Sequence, residues 1–269
     1  MDAFSLATER TERAALMDIH AAAPLDARAA LGMEGETIGS AYLSLTRNDP
    51  NVMFNRTIGL GLETEASRQE VRDLVARYKE AGIARYFIHL HPESRPAGLK
   101  DWLGEEGLEP TRAWVKFQRD PGNIPSAKTD LSVREIGPEH GADFGRIVAT
   151  SFGFTNPMAE VYAALAGRDH WHIFMSFDKN QPAGCGALFV HEGLGWLDWG
   201  ATDPDLRGRG SQGATLAARI EGASIHGCQI LAVETGEAVE GDPQHSYHNI
   251  ERAGFKPSHA RANFAPPKD

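Results

Sequence analysis

Hydrophobic residues along this 269-residue chain recur at a period of two in some segments and near 3.6 in others. The short period is typical of half-buried strands and the longer one of amphipathic helices. In the first half the pattern predicts helices over 4–22, 26–33, 66–81 and 96–106, and strands over 36–46, 55–62, 85–91 and 114–118. Residues 121–128 hold two prolines and a glycine, so they are predicted to be a linker.

The second half of the chain shows a similar order of elements. Strands are predicted over 131–136, 171–177, 183–191, 195–201, 229–235 and 260–264, and helices over 139–151, 158–166, 212–226 and 245–253. The three strands between 171 and 201 follow one another directly and are expected to be antiparallel. The fold class is therefore α/β (α+β), with mixed, mostly antiparallel sheets flanked by helices.

An internal repeat indicates that the two halves are related. Residues 107–117 (Gly-Leu-Glu-Pro-Thr-Arg-Ala-Trp-Val-Lys-Phe) align without gaps with residues 254–264 (Gly-Phe-Lys-Pro-Ser-His-Ala-Arg-Ala-Asn-Phe), 147 positions later. Glycine, proline, alanine and phenylalanine coincide, and each segment follows the order strand, helix, strand, helix. Chance similarity at a common helix–glycine–strand junction is the alternative.

Residues 201–214, which read Ala-Thr-Asp-Pro-Asp-Leu-Arg-Gly-Arg-Gly-Ser-Gln-Gly-Ala, join a predicted strand to a predicted helix. Gly208 and Gly210 permit a sharp turn and a close approach of the backbone to a ligand. The helix that follows offers unpaired N–H groups, and Arg207 and Arg209 add positive charge. We interpret this stretch as a diphosphate site; an ordinary glycine-containing connection with solvated arginines is the alternative.

Two nucleotide-binding motifs compete for the same residues. A P-loop is excluded because no Gly-Lys-Ser/Thr follows the glycines. The pattern G-x-G-x-x-G is met by Gly208, Gly210 and Gly213, with Glu234 near the expected acidic position. However, Pro204 and its neighbours separate the strand from the first glycine, and too little chain follows to build a nicotinamide domain.

The chain resembles the GNAT superfamily of acetyl-CoA-dependent N-acetyltransferases, whose diphosphate loop reads Arg/Gln-x-x-Gly-x-Gly/Ala. Residues 207–212 match its first four positions, whereas Gln212 stands where glycine or alanine is usual. Further similarities are Thr202-x-Pro204, Ala214-x-Leu216 and the late pair Gly254-Phe255. The resemblance covers about residues 130–269 well.

The resemblance and the repeat together imply two tandem GNAT-like domains. We predict a degenerate domain over 1–121, a linker over 122–128 and the acetyltransferase domain over 129–269. Before its helix the first half has only Glu63-Thr64-Glu65, with no glycine and no arginine. Two carboxylates at a helix N-terminus complement the helix dipole and repel a diphosphate. One acetyl-CoA per chain is therefore expected, and the first half is expected to support the catalytic half and to wall its acceptor cleft.

The resemblance also implies where the donor lies. The pantetheine arm is expected along the strand before the loop and the diphosphate on the N–H groups of the loop. The implied cofactor-binding residues are Gly200, Ala201, Thr202, Arg207, Gly208, Arg209, Gly210, Ser211, Gln212, Gly213 and Ala214, with Ser246 and Asn249 on the late helix.

Candidate acid–base residues follow from the same comparison. Asp198 is the first choice for the base, because period-two geometry places it on one strand face with Trp196 and Gly200 and puts Trp199 on the other. Glu234, on the adjacent parallel strand, is the second choice. The family usually has a tyrosine four residues before the late glycine, but that position is Ile250 here. Tyr247 lies one turn earlier, so a dedicated general acid for the thiolate is in question.

Histidines offer no complete metal site by sequence. His170 and His172 share a strand face, and His245 and His248 share a helix face, but a third ligand is not evident for either pair. Surface or strand-end histidines are the simpler interpretation, and we predict that no metal is used.

Composition narrows the partners. A formal net charge of −10 opposes nonspecific binding to nucleic acid or anionic membranes and suits a cationic amine. Two cysteines do not make a disulfide framework, and neither a signal pattern nor a long apolar run is present, so a cytoplasmic protein is expected. A homodimer is compatible with these observations.

The sequence thus predicts transfer of an acetyl group from acetyl-CoA to a primary amine of a small molecule or peptide by direct attack. A noncatalytic acyl-CoA-binding or regulatory module is the second reading, and a nicotinamide enzyme is a distant third.

Overall fold

The structure, a computed structural model, describes residues 3–268. Residues 1–2 and 269, which belong to the outer ends of the two predicted domains, lie outside the described residues. The helices are α1 Ala3–Ala22, α2 Leu25–Leu31, α3 Arg68–Glu80, α4 Leu99–Glu105, α5 Gly141–Phe152, α6 Asn156–Ala163, α7 Ser211–Ile225 and α8 His245–Arg252. The strands are β1 Met33–Ile38, β2 Ala41–Thr46, β3 Arg56–Ile58, β4 Phe87–Leu90, β5 Glu109–Arg119, β6 Ser132–Ile136, β7 Trp171–Asp178, β8 Gln181–His191, β9 Leu194–Thr202, β10 Ile230–Gly236 and β11 Lys256–Ala265.

The mixed, mostly antiparallel sheets flanked by helices that the sequence predicts are confirmed, but several strand bounds differ. Strands β5 and β11 are longer than expected, and two strands of the first half are divided or shortened. The single strand expected over 36–46 is a hairpin, because Gly39 has a positive φ of 57° and turns the chain between β1 and β2. The carboxylate of Glu70 holds that turn by accepting hydrogen bonds from the Ser40 backbone N–H and hydroxyl, at 2.8 and 2.7 Å. The strand expected over 55–62 ends at Ile58, since Gly59 and Gly61 both have positive φ.

All eleven strands join one sheet in the order β1-β2-β3-β4-β11-β5-β10-β9-β8-β7-β6. The last strand of each half lies beside the other half: β11 pairs antiparallel with β4, and β5 pairs antiparallel with β10. The two exchanged strands also pair with each other, with Lys256 opposite Gln118 and Ala265 opposite Glu109. These are the segments of the internal repeat, so the repeated strands meet about a local pseudo-twofold axis at the centre of the sheet.

Three hydrophobic clusters cover the sheet. One lies under α3 and α4, and another lies under α7 and α8. The third is shared, because it combines residues of α1 and α2 with residues of α5, α6 and β9. Helix α1 of the first half therefore packs on the sheet of the second half, which ties the halves together by apolar burial.

A buried group of six charged side chains lies beneath α1. Glu9 and Glu12 of α1 meet Arg56 of β3, Lys116 of β5, Glu234 of β10 and Arg261 of β11. Three carboxylates and three cations balance one another, as buried charges require. Because five elements from both halves contribute, the group fixes how the exchanged strands and α1 sit against each other.

None of the helices within residues 3–268 is both long enough and apolar enough to cross a membrane.

Candidate active site

Strands β9 and β10 run parallel and then separate. They pair from Leu194 opposite Ile230 to Leu197 opposite Val233, and in the described chain no strand pairing joins them beyond that point. After the separation β9 stays paired with β8, and β10 stays paired with β5. A cavity of about 230 Å³ opens at the fork, with residues 197–200 of β9 on one wall and residues 233–236 of β10 on the other.

Helix α7 begins beside this fork, at Gly210. Gly210 adopts φ 81°, ψ 7°, a left-handed conformation that favours glycine, and it gives the helix no side-chain cap. Ser211 is buried and its hydroxyl lies 2.7 Å from that of Ser176, so it points into the protein. The first backbone N–H groups of α7 are therefore left for a ligand or solvent, which is the arrangement of a helix N-terminal anion site.

The two arginines of the loop have different surroundings. The Arg209 side chain forms salt bridges with Asp130 and, at 2.6 Å, with Asp178, so its guanidinium is occupied within the protein. Arg207 is exposed, and no hydrogen bond or salt bridge to its side chain occurs within the described chain. Of the pair, Arg207 is the one whose guanidinium is available to a phosphate, whereas Arg209 fastens the loop.

The linker packs directly on the loop. A Cβ at Gly210 would lie 2.2 Å from the carbonyl oxygen of Lys128, and the Thr129 hydroxyl donates to the carbonyl of Arg209 at 2.7 Å. Gly213 is more open, since a Cβ there would meet only Ala127, at 3.8 Å. Substitution at Gly210 would consequently disturb packing as well as any ligand, and Gly213 is the better position for a test.

A β-bulge in β9 reshapes the face that carries Asp198. Trp199 has a positive φ of 51°, and the pairing with β8 slips there, so two residues of β9 oppose one. The expectation that Asp198, Trp196 and Gly200 share a face is wrong for Gly200, whose Cβ position faces Arg219 of α7. The expectation that Trp196 and Trp199 point to opposite faces is also wrong, because both lie in the shared core.

Asp198 lines the cavity at the bulge. Its carboxylate accepts hydrogen bonds from the Trp196 indole N–H at 3.0 Å and from the Trp199 backbone N–H at 2.9 Å. Burial raises the pKa of the Asp198 carboxyl above its ordinary value, although the positive charge of Arg56 and these hydrogen bonds oppose the rise. A partly buried carboxylate with a raised pKa in a cavity has the properties of a general base.

Glu234 lines the opposite wall, but its carboxylate also belongs to the buried charge group. The nearest cations are the Arg261 guanidinium at 2.7 Å and the Lys116 ammonium at 2.9 Å. Burial raises the pKa of Glu234. Two cations hold this carboxylate in place, whereas that of Asp198 is held only by neutral donors.

The late helix α8 contributes two of the four residues considered there. Ser246 and Ile250 line the cavity, whereas the Tyr247 ring packs edge-on against Phe117, with centroids 4.9 Å apart. Tyr247 is not among the residues that line the cavity. Asn249 donates to the side-chain oxygen of Gln212, which joins the start of α7 to α8.

The structure groups His172 with two other candidate ligands, His226 and Glu135, and not with His170. The His172 ring lies 3.6 Å from the His226 ring, nearly parallel to it, and 2.8 Å separates His172 Nδ1 from Glu135. Their separation along the sequence hid this group. The candidate ligand atoms of the three residues all lie within 4.8 Å of one another, a spacing that a shared metal ion would fit.

Residues from the first half wall the other end of the cavity. Met53, Arg56 and Trp114 lie there, together with Phe152 and Trp196 of the second half. In the sequence these first-half residues carry no motif, and only the strand exchange and the packing of β3 bring them to the fork.

The equivalent place in the first half is filled by the chain itself. After β3, the Leu60 carbonyl accepts from the Ser94 hydroxyl at 2.7 Å, and the Gly61 carbonyl accepts from the Arg95 N–H at 2.8 Å. Helix α3 is capped by the Ser67 side chain, which accepts from the N–H of Glu70. Glu63 pairs with arginines of α1.

No family model matches the sequence, and a search of curated proteins found no match. Solved structures are similar in fold. A GCN5-related N-acetyltransferase from Kribbella flavida superposes with a TM-score of 0.62 at 15% identity, over 93% of this chain and 96% of that one. One from Sphaerobacter thermophilus gives a TM-score of 0.60 at 14% identity, over 88% and 84% of the two chains.

A tandem GNAT protein from the clavulanic acid biosynthesis pathway also matches, with a TM-score of 0.58 at 13% identity, over 86% of this chain and 80% of that one. These likenesses, over most of each chain, show that the protein has the GNAT fold that the sequence motifs predict.

Proposed function

We propose that the protein is an acetyl-CoA-dependent N-acetyltransferase that moves an acetyl group to a primary amine of a small molecule or peptide. The observation that carries the proposal is the fork between β9 and β10, which opens beside the uncapped N-terminus of α7. A fork leaves strand backbone free to pair with an extended pantetheine arm, and the helix N-terminus suits a diphosphate.

The donor contacts follow from this placement. The diphosphate binds the N–H groups of residues 209–214, and Arg207 supplies the free guanidinium. Pantetheine lies along residues 200–202, and Ser246 borders it from α8. Asn249 acts through Gln212, which it holds at the start of the helix.

Asp198 is the proposed base. The amine loses its proton to the carboxylate, directly or through water, and its nitrogen attacks the thioester carbonyl. The C–N bond forms, the C–S bond breaks, and CoA leaves. Glu234 is the second candidate. Tyr247 remains a candidate acid only if its ring leaves Phe117, because the closer Ile250 has no proton to give.

The first half contributes to the acceptor end. Met53, Arg56 and Trp114 close the cavity on the side away from α8, so the halves build the acceptor cleft together. The domain boundaries at 121 and 129 stay a prediction, as does one acetyl-CoA per chain.

A noncatalytic acyl-CoA-binding module is the second candidate function. Ile250 in the cavity and Tyr247 outside it favour this alternative, because a sensor needs no group to protonate a leaving thiolate. Cytoplasm is the proposed compartment, consistent with two buried free cysteines, Cys185 and Cys228.

Release of free thiol from acetyl-CoA in the presence of amines of several classes tests the proposal. Gly213→Glu places a carboxylate in the first turn of α7, where helix formation tolerates it well, and should weaken acetyl-CoA binding by more than about tenfold through charge repulsion. Gly213→Ala is the matched control and should bind within a few-fold of the wild type, since its Cβ has room.

Binding without thiol release for any amine would favour the noncatalytic module. Equal affinity of the Glu and Ala variants for acetyl-CoA would refute the diphosphate site.

A further inference from the structure

Arg219, on the third turn of α7, is a buried cation that forms no salt bridge within the described residues, and the negative charge of Asp198 only partly offsets the effect of burial on its pKa. The residue is 4% exposed, and no carboxylate within residues 3–268 forms a salt bridge with it. Its Nε donates to the Thr215 carbonyl at 3.1 Å, and its Nη1 donates to the Asp198 carbonyl at 3.2 Å. Burial lowers the pKa of Arg219 to about 10, so the guanidinium is still charged at neutral pH.

Two positions of the sheet that face this guanidinium are glycines, whose missing side chains leave room for it. A Cβ at Gly186 of β8 would lie 2.6 Å from the guanidinium carbon, and one at Gly200 of β9 would lie 3.2 Å from Nη2. A buried charge without a salt-bridge partner is destabilising. Such an arrangement is expected where a ligand supplies the missing negative charge.

The Arg219 side chain borders the fork. Nη2 has no hydrogen-bond partner among the described residues, and Arg219 is one of the residues that line the cavity between β9 and β10. The cavity has no tyrosine among its lining residues, and Ile250 and Leu216 border it from the helix side. A thiolate that forms at the fork would thus lie near the positive charge of Arg219, and no tyrosine lines the cavity to give it a proton.

We propose that Arg219 stabilises the departing CoA thiolate by charge, so that the leaving group needs no proton from the protein. The inference rests on the proposed function. As the amine nitrogen bonds to the carbonyl carbon, the electron pair of the C–S bond moves to sulfur, and the guanidinium offsets the new charge. Asp198 takes the first proton of the ammonium and passes it to water, and it takes the second as the C–N bond forms and the intermediate collapses. The thiolate takes a proton from water after release.

The class of ligand group follows from the same chemistry. The guanidinium places a positive charge at a site partly closed to water, which favours a thiolate over a neutral thiol. An opposite charge within about 4–6 Å lowers a pKa by about 1–3 units. The thiol of bound CoA should therefore titrate below the pKa of the thiol in free CoA.

Thiolate ultraviolet absorbance of bound CoA, followed against pH, tests the inference without acetyl transfer. The wild type should lower the pKa of the thiol by at least about one unit. By linkage CoA should then bind at least about tenfold more tightly than desulfo-CoA above the pKa of the free thiol. Desulfo-CoA lacks the sulfur but keeps the diphosphate, so it reports the donor site alone.

Two substitutions separate charge from hydrogen bonding. Arg219→Lys keeps the charge and should keep a lowered thiol pKa, whereas Arg219→Gln keeps a donor without charge and should return the thiol to its free pKa. Affinity for acetyl-CoA, whose sulfur carries no charge, should change little in either variant and serves as the check on folding.

An unshifted thiol pKa in the wild type, or the same lowered pKa in Arg219→Gln, would overturn the role of Arg219 while the donor site stands. Failure of the wild type to bind acetyl-CoA and desulfo-CoA would overturn the proposed function as well.

Discussion

At Trp199 the backbone takes a left-handed conformation that costs a non-glycine residue of the order of 1–3 kcal/mol. Two contacts maintain this conformation. The Trp199 indole packs against Tyr162, with ring centroids 4.7 Å apart, and the Trp199 backbone N–H donates to the Asp198 carboxylate. The same bulge turns the Gly200 position toward Arg219. One strained residue thus sets the positions of both the proposed base and the proposed anion partner.

Asp198→Asn should lower turnover by at least about 10²-fold, because the amide is nearly isosteric but cannot accept a proton. Affinity for acetyl-CoA should change little. Steady-state rates with a responsive amine measure both. Glu234→Gln is the comparison, and if it lost activity while Asp198→Asn kept it at every pH, the role of base would pass to Glu234.

Trp196→Phe should shift the acidic limb of the rate–pH profile to higher pH. The Trp196 N–H lowers the pKa of Asp198 by a hydrogen bond, so its removal raises that pKa further. Since the base must be ionised, the rate would then fall at a higher pH as acid is added. A profile identical to that of the wild type would show that the limb does not report Asp198.

For single residues, the sequence predicted which side chains belong to the site but not the face of the sheet on which each one lies. Asp198 and the loop glycines stood out by spacing, whereas the bulge was hidden because period-two alternation assumes an unbroken strand. Arg219 gave no signal, since an arginine in a helix usually lies at the surface; its one clue is that Gly186 and Gly200 leave room for it across two strands.

Helices α3 and α7 occupy corresponding places in the two halves, but their first turns differ. Helix α3 begins with a serine cap, and α7 begins at a glycine without a side-chain cap. Beyond β3 the segment 60–61 is bonded to residues 94–95, whereas beyond Leu197 the corresponding space is a cavity. In the first half, the chain itself therefore fills the space that corresponds to the proposed donor site of the second half.

Titration with acetyl-CoA should saturate at one equivalent per chain. The Ser67 cap takes one N–H of α3, the segment 60–61 is bonded to residues 94–95, and the carboxylates of Glu63 and Glu65 oppose a diphosphate. Isothermal calorimetry gives the stoichiometry, and Gly213→Glu should remove the single event. A second equivalent, or a site surviving in that variant, would show that the first half binds the donor too.

Element types in both halves followed from periodicity, but the partners of β5 and β11 did not. The alternation of apolar and polar residues in a strand predicts which face is buried, but it does not predict which strand pairs with each edge. The repeat at 107–117 and 254–264 was visible in the sequence, yet its exchange about a pseudo-twofold axis is a matter of tertiary packing.

For the whole molecule, the exchange makes each half incomplete without the other. A fragment of residues 122–269 lacks β5, so one edge of β10 is bare and β11 loses both neighbours, β4 and β5. It also lacks α1, which leaves part of the shared core uncovered and Arg261 without Glu9 and Glu12. The fragment 1–121 has the converse defect, because β4 loses β11.

We expect neither fragment to fold alone and expect the two to assemble one-to-one when expressed together. Gel filtration with light scattering and circular dichroism measure this. As a control, the full chain cut by a protease site inserted in 122–128 should stay associated. A folded monomer of residues 122–269 that binds acetyl-CoA would contradict the expectation.

The central position of β11 has a consequence for synthesis. This strand is at the C-terminal end of the chain, yet it fills the middle of the sheet between β4 and β5. While the ribosome is still producing the chain, β4 and β5 must wait with bare edges, which are prone to join other chains. Because these closing contacts join residues far apart in the sequence, we expect slow folding that completes only after β11 has been synthesised.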